Sequence, residues 1–191
     1  MTQDAVLHEL IRQRRSPIAF SSDPVSEEDL HSLLEAARWA ASSYNEQPWR
    51  FIVADRHRDP EAFARVLSTL MPANAAWAEN APVLIVAVAK SNYSHNDAPN
   101  RHARYDTGAA VAQLSLEATA LSLGVHQMGG FDSDKARTVL SIPEGFEPMA
   151  VLAIGHPGDP TALNQALQAR ASAPRQRRPL DELVFDGAWR A

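Results

Sequence analysis

No cysteine occurs anywhere in the 191 residues, which removes disulfides, thiolate metal sites and cysteine nucleophiles together. Long apolar runs are missing too: the longest, Val83 to Ala89, is far too short to span a bilayer. The stretch from Met1 to Arg15 carries Asp4 and Glu9 and has apolar residues only at helical spacing, so it lacks the apolar core of a signal peptide. The chain therefore reads as cytoplasmic, without a membrane partner. A net charge of −5 leaves no basic excess to hold nucleic acid. Lysine is scarce, two against sixteen arginines, a bias that genome composition produces and that lowers the weight of any single arginine. Also absent are a dinucleotide fingerprint, a phosphate loop ending in Lys and Ser or Thr, and a serine nucleophile elbow.

What is present describes an ordinary globular chain, 45% apolar and 21% charged, of a length that fits one domain. Val6, Leu7, Leu10 and Ile11 share a helical face that leads into Arg14, Arg15 and Ser16, where Pro17 stops the helix. Ser26 before Glu27, Glu28 and Asp29 opens a second helix with Leu30, Leu33, Leu34 and Ala37 as its buried stripe. Phe51 to Val53 reads as a short strand, and Asp59 with Pro60 caps a third helix. The continuous apolar run Val83 to Ala89 predicts a central strand covered on both faces. Ser91 to Arg104 is polar and irregular and reads as a mobile loop. Tyr105 to Leu123 predicts a long helix, apolar nearly all round and rich in small residues, buried in the domain or against a second subunit, with Gly124 ending it. Val125 to Met128 and Met149 to Ile154 read as strands, with a helix from Asp132 or Ser133 to about Leu140 between them. After the turn at Gly155 to Gly158, the arginine-rich tail reads as an arm lying on a neighbour.

Taken singly, the chemical candidates each have an ordinary explanation. Arg14, Arg15 and Ser16 suit the oxygens of a terminal phosphate, and a basic pair at a helix end also complements the helix dipole. Arg175, Arg177 and Arg178 suit an anion, form a solvated basic tail or, as a third reading, touch nucleic acid. Asn45 and Gln47 both donate and accept, as reading a heteroaromatic edge requires, or they shape a turn before Pro48. Trp49 is a core or a cofactor residue, and Gly129 with Gly130 either exposes backbone N–H groups to a ligand or forms a bulge. His95, His102, Asp97 and Asp106 fall in and beside the polar loop, where metal binding competes with simple solvation.

Their order along the chain is more informative. Arg14, Arg15, Ser16 and Phe20, then Ser42, Ser43, Asn45, Gln47, Pro48 and Trp49, then Gly129, Gly130 and Phe131, then Gly155 with Pro157, and last Arg175, Arg177 and Pro179, resemble the FMN-dependent nitroreductase family over nearly the whole chain. The resemblance implies an α+β nitroreductase-like fold, with a central mixed β-sheet flanked by helices. It implies an intertwined homodimer with C-terminal arm exchange: residues 1–191 as a single domain, about 159–191 extending across the dimer. It implies FMN as cofactor and NAD(P)H as reductant, working by ping-pong hydride transfer through flavin N5 to a small electron-poor acceptor such as a nitroaromatic or quinone. Arg14, Ser16, Arg175 and Arg177, with Arg15 nearby, would hold the FMN phosphate. Ser42, Ser43 and Asn45 would reach the ribityl chain and ring from the other subunit, with Gln47 supporting their loop. Asn74 would read the pyrimidine edge, and Gly129 and Gly130 would orient N5 and O4. No dedicated catalytic side chain and no metal is implied. Three positions depart from the pattern: Ala41 replaces a proline, and Ile18 and Trp77 stand where cations often face the flavin. Two other readings stay open: a flavin enzyme of different chemistry (dehalogenation or flavin turnover) and, motivated by Ile18 and Trp77, a catalytically quiet FMN-binding or scaffold protein. Trp77 is also a candidate wall of the substrate pocket.

Overall fold

A computed structural model describes residues 7–189. Strands β1 (Trp49–Asp55), β2 (Val83–Lys90), β3 (Gly124–Met128) and β4 (Phe146–Gly155) form one sheet in the order β1-β2-β4-β3. All three pairings are antiparallel, so within one chain the sheet is not mixed, and a parallel neighbour would need a strand from outside these four. Around the sheet lie α1 (Glu9–Gln13), α2 (Glu27–Arg38), α3 (Pro60–Leu67), α4 (Pro72–Ala78), α5 (Ala103–Ala120), α6 (Ser133–Val139) and α7 (Gln165–Ser172).

Strand β2 explains why its sequence is apolar without alternation. Val83, Ile85 and Ala87 point to one face, where they meet Leu33, Ala37, Leu114 and Leu152 from α2, α5 and β4. Leu84, Val86 and Val88 point to the other, against Phe63, Val66, Trp77 and Val151. Val83, Leu84, Ile85 and Val86 are fully buried, each contributing about 1.5 to 3 kcal/mol relative to exposure, which makes this strand the anchor of both cores. The caps follow the sequence: Ser26 Oγ accepts from the Asp29 N–H, Asp59 Oδ1 from that of Ala62 and Asp132 Oδ1 from that of Lys135.

The structure departs from the sequence reading in several places. Val6 lies outside the described residues, and α1 starts only at Glu9. Helix α5 stops at Ala120, and Ser122 takes the left-handed conformation at φ 59°, whereas Gly124 opens β3. Gly124 is needed there for space, since a Cβ would overlap the Pro17 ring. The segment after β2 is knitted together: Tyr93 N–H donates to Ala98 O, Asp97 N–H to Tyr93 O and Asn100 N–H to Ser91 O. Helices α4 and α7 are additions to the sequence reading. The tail begins on its own chain, with Leu163 and Leu167 packed against the core.

Candidate active site

The site is built where the N-terminal segment meets the end of β4. Helix α1 ends as the Arg14 N–H closes on Leu10 O, and the chain then runs beside residues 156–158. Phe20 bridges to Pro157, Ser21 N–H donates to His156 O at 2.9 Å, and Gly158 N–H donates to Ala19 O at 2.9 Å. A Cβ on Gly158 would stand 2.5 Å from the Phe20 carbonyl carbon, so only glycine permits this approach.

The tail returns to the same place. Arg175 donates from Nη1 to Arg14 O at 2.9 Å and from Nη2 to Arg12 O at 3.0 Å. Arg14 Nη1 donates to Ser16 Oγ at 3.3 Å. Arg14, Arg15, Ser16, Arg175 and Arg177, separated by about 160 positions in sequence, thus line one cleft of about 660 Å³, a size within the range of cofactor pockets. Arg170 and His126 line it further along, and among the described residues no carboxylate does. Desolvation and the neighbouring charges of Arg15, Arg177 and Arg14 hold Arg175 below the ordinary guanidinium value. Cations crowded with no counter-ion among the described residues favour an anionic ligand.

His126 sits in the middle of β3 and points into this cleft. Its Nδ1 lies 2.9 Å from Pro17 O and 3.2 Å from Ser16 O, which places the proton on Nδ1. Burial lowers its pKa, repulsion from Arg170 lowers it further, and the two carbonyl contacts oppose the shift. The His126 ring is 4.5 Å from that of Trp77, whose other neighbours are Phe20 at 6.3 Å and the Arg170 guanidinium at 5.9 Å. Trp77 is fully buried, so it backs the cleft rather than walling a pocket. Ile18, 3% exposed, forms part of the cleft floor.

Strand β3 is the edge of the sheet and connects this cleft to Gly129 and Gly130, three and four residues beyond His126, or roughly 10 to 14 Å along an extended chain. Among the described residues neither glycine N–H has a protein acceptor. Asn74 Nδ2 donates to Gly130 O at 3.0 Å, and a Cβ on Gly130 would lie 2.6 Å from that nitrogen. Asn74 and Trp77 are one turn apart on α4, which therefore runs beside β3 from the glycine pair to His126.

The polar loop before β1 lies elsewhere. Ser42 Oγ accepts from the Gln47 N–H, and Gln47 Nε2 donates to Asn45 O, so Gln47 closes the loop on itself. Tyr44, Asn45 and Gln47 all have φ between 51° and 54°, a conformation costing of order 1 to 3 kcal/mol per non-glycine residue. The surroundings fix it. Ser43 N–H donates to Asp106 Oδ2 at 2.9 Å, and Ser43 Oγ lies 3.0 Å from the Tyr93 hydroxyl. Glu46 Oε1 accepts from Ser94 N–H at 2.9 Å and from Ser94 Oγ at 2.6 Å, bonds that hold its carboxyl below the ordinary value, with Lys90 adding to the effect. Trp49 is buried and belongs to the core. Among the described residues, Ser42, Ser43, Asn45 and Gln47 share neither a hydrogen bond nor a cavity with the arginine cleft. Nor does any group of three or more His, Cys, Asp or Glu side chains converge there on a metal position. Asp106 is instead spent on Ser43, and His95 packs against Tyr44 and Tyr93.

Sequence reasoning missed His126, and placed Arg170 only in a basic tail. Neither had a local signal, because each acquires its setting from α4 and α7.

A four-stranded antiparallel sheet wrapped by helices, with an arginine-lined cleft along its edge, defines an α+β protein. Residues 11–156 match the nitroreductase family, and the chain belongs to that family of oxidoreductases. A protein of Mycolicibacterium smegmatis described as an uncharacterized 15.4 kDa protein is 36% identical over 73% of this chain and 97% of its own length. An NADH dehydrogenase of Thermus thermophilus is 30% identical over 93% of each chain. Among solved structures, an oxidoreductase containing FMN is 35% identical, covers 99% of this chain and 96% of its own, and superposes with a TM-score of 0.92.

Proposed function

We propose that the protein is an FMN-dependent NAD(P)H oxidoreductase that works as a cytoplasmic homodimer and reduces electron-poor small molecules such as nitroaromatics or quinones. The observation that carries this reading is the convergence of Arg14, Arg15, Ser16, Arg175 and Arg177 in a cleft that no described carboxylate lines, at one end of a strand beyond whose other end lie Gly129 and Gly130, whose N–H groups have no acceptor among the described residues. FMN bound there would supply two-electron hydride chemistry between NAD(P)H and the acceptor, in a ping-pong sequence. The guanidinium groups and the Ser16 hydroxyl would hold its phosphate. Asn74 presents its amide beside Gly130 to the ring edge. The backbone N–H groups of the glycine pair would orient the ring, and on this reading no dedicated acid or nucleophile is needed.

The polar loop requires a second chain on this reading, because Ser42, Ser43, Asn45 and Gln47 stand apart from their own cleft and would serve that of the partner. Two surfaces support such a dimer. Helix α5 buries Ala110, Leu114 and Ala118 but leaves Tyr105, Gly108 and Ala112 exposed. Beyond the arginines, Leu180, Leu183, Val184 and Trp189 are all more than half exposed, as an arm covering a partner would be when seen alone. The chain is then one domain, with residues from about 159 onward as its extension.

FMN titration of the apoprotein tests the cofactor site. Arg175→Ala with Arg177→Ala should weaken binding by about 1.5 to 3 kcal/mol for each charge-assisted contact removed. Unchanged affinity, or FMN held by a monomer in sedimentation, contradicts the proposal. A second reading, an FMN-binding protein without turnover, is favoured by the apolar, buried Ile18 and Trp77. It differs in leaving bound flavin oxidised when NAD(P)H is added.

A further inference from the structure

Donors crowd the cleft and acceptors are few. Five guanidinium groups line it, whereas the described side-chain atoms along it that can accept a hydrogen bond are Ser16 Oγ and a ring nitrogen of His126. Ser16 Oγ already accepts from Arg14 Nη1. Nearby carbonyls are taken as well: Arg14 O by Arg175, Ala19 O by the Gly158 N–H, and Ser16 O and Pro17 O by His126 Nδ1. A neutral imidazole that donates from Nδ1 is an acceptor at Nε2. Burial in the first place, and repulsion from Arg170 with it, makes a second proton harder to add to the ring, against the pull of the two carbonyls. Nε2 has no hydrogen-bond partner among the described residues, and it is not one of their sealed, unpaired polar atoms, which are Trp77 Nε1, Asn100 Nδ2 and Thr107 Oγ1. It therefore opens on the cleft that His126 lines.

We propose that His126 Nε2 accepts a hydrogen bond from a hydroxyl of the FMN ribityl chain, so that the cleft reads the polyol as well as the phosphate. This rests on the FMN reading above. Nδ1 and Nε2 are separated by a single ring carbon, and Nδ1 lies 3.2 Å from Ser16 O. Nε2 therefore stands beside the turn whose hydroxyl and guanidinium groups would hold the phosphate. The part of FMN next to its phosphate is the ribityl chain, and each hydroxyl on that chain is a donor of the kind a bare imidazole nitrogen needs. The imidazole cannot swing away, because Nδ1 is fastened to two carbonyls and the ring meets that of Trp77 at 4.5 Å. Guanidinium groups supply charge and donors but no acceptor. His126 supplies the acceptor, and with it discrimination between an alcohol and a methylene at one position of the chain.

The test titrates wild-type and His126→Phe apoprotein with FMN and with analogues in which one ribityl hydroxyl is replaced by hydrogen. One analogue should bind wild type about three- to tenfold more weakly than FMN, the usual contribution of a hydrogen bond between neutral groups. His126→Phe should bind FMN and that analogue alike. Nitrogen NMR of wild type carrying labelled histidine needs no variant: the His126 Nε2 signal should move from that of a bare ring nitrogen to that of a hydrogen-bonded acceptor with FMN, and not with that analogue. Analogues that all bind wild type as FMN does, or a penalty that persists undiminished in His126→Phe, overturn the assignment and leave the cofactor reading intact. So does an Nε2 whose signal FMN leaves unmoved, or that carries a proton in the complex. A wild-type protein that binds no FMN overturns the cofactor reading, and the assignment with it.

Discussion

Replacing Gly158 by alanine attacks the junction on which the cleft depends. The new Cβ would stand 2.5 Å from the Phe20 carbonyl carbon, 2.6 Å from its oxygen and 2.8 Å from Ser21 N, where ordinary contact begins at 3.4 Å. All three atoms are backbone, so no rotamer relieves the overlap and the two segments must part by nearly an ångström. Parting breaks the bonds from Gly158 N–H to Ala19 O and from Ser21 N–H to His156 O. It also loosens Ile18 and Phe20, both core residues. Two hydrogen bonds at about 1 kcal/mol each, with a modest packing loss, give about 2 to 4 kcal/mol. For a chain of this size that lowers Tm by about 5 to 15 °C. Thermal unfolding of the apoprotein reads the effect, and FMN affinity should fall with it because Arg14 to Ser16 ride on the displaced segment. Gly129→Ala is the control, since a Cβ there meets nothing within 4 Å. A Gly158→Ala protein that melts within 2 °C of that control would refute the close-approach argument.

Gly108 is exposed on α5, and a Cβ there touches nothing in the single chain. Gly108→Trp should therefore leave the chain folded by circular dichroism while converting a dimer to monomers in sedimentation, and a protein that remains dimeric places α5 outside the interface. His126 has a lowered pKa in the folded state, caused first by burial. The unfolded chain then takes up a proton below the ordinary value of about 6.5 while the folded chain resists it, so this contribution to stability is complete above that pH and is lost as pH falls through the folded value. Urea unfolding at pH 7.5 and 5.0 should show a larger loss for wild type than for His126→Gln, and equal losses contradict the burial argument.

How far the sequence revealed this structure depended on where each signal lay. The run from Val83 to Ala89 announced a central strand because burial on both faces leaves no polar position, and the caps at Ser26, Asp59 and Asp132 marked helix starts through one side chain each. Helix α4 was illegible: its seven residues are mostly alanine and its N-cap, Met71, makes no side-chain bond. Missing it left Trp77 readable as a pocket wall. Helix α7 packs against the core only through the partly buried Leu167, with Leu163 just before it, and carries no apolar stripe. Arg170 therefore looked like one basic residue among many. The polar loop was recognisable from its composition, but not the left-handed conformation of Tyr44, which a bulky residue takes only when Asp106 and Tyr93, far away in sequence, hold its neighbour Ser43. The arginines at both ends of the chain were visible as charges, and the turn at Gly158 is what brings them together.

The central claim is that this cleft holds a flavin that nicotinamide reduces. The visible absorption spectrum of the purified protein reconstituted with FMN, recorded without oxygen before and after addition of NADH or NADPH, tests it most directly. The expected result is a bound-flavin band near its usual visible position that bleaches with at least one nicotinamide and returns when a quinone or nitroaromatic is added. A protein that retains no FMN, or whose flavin stays oxidised with both nicotinamides, contradicts the account.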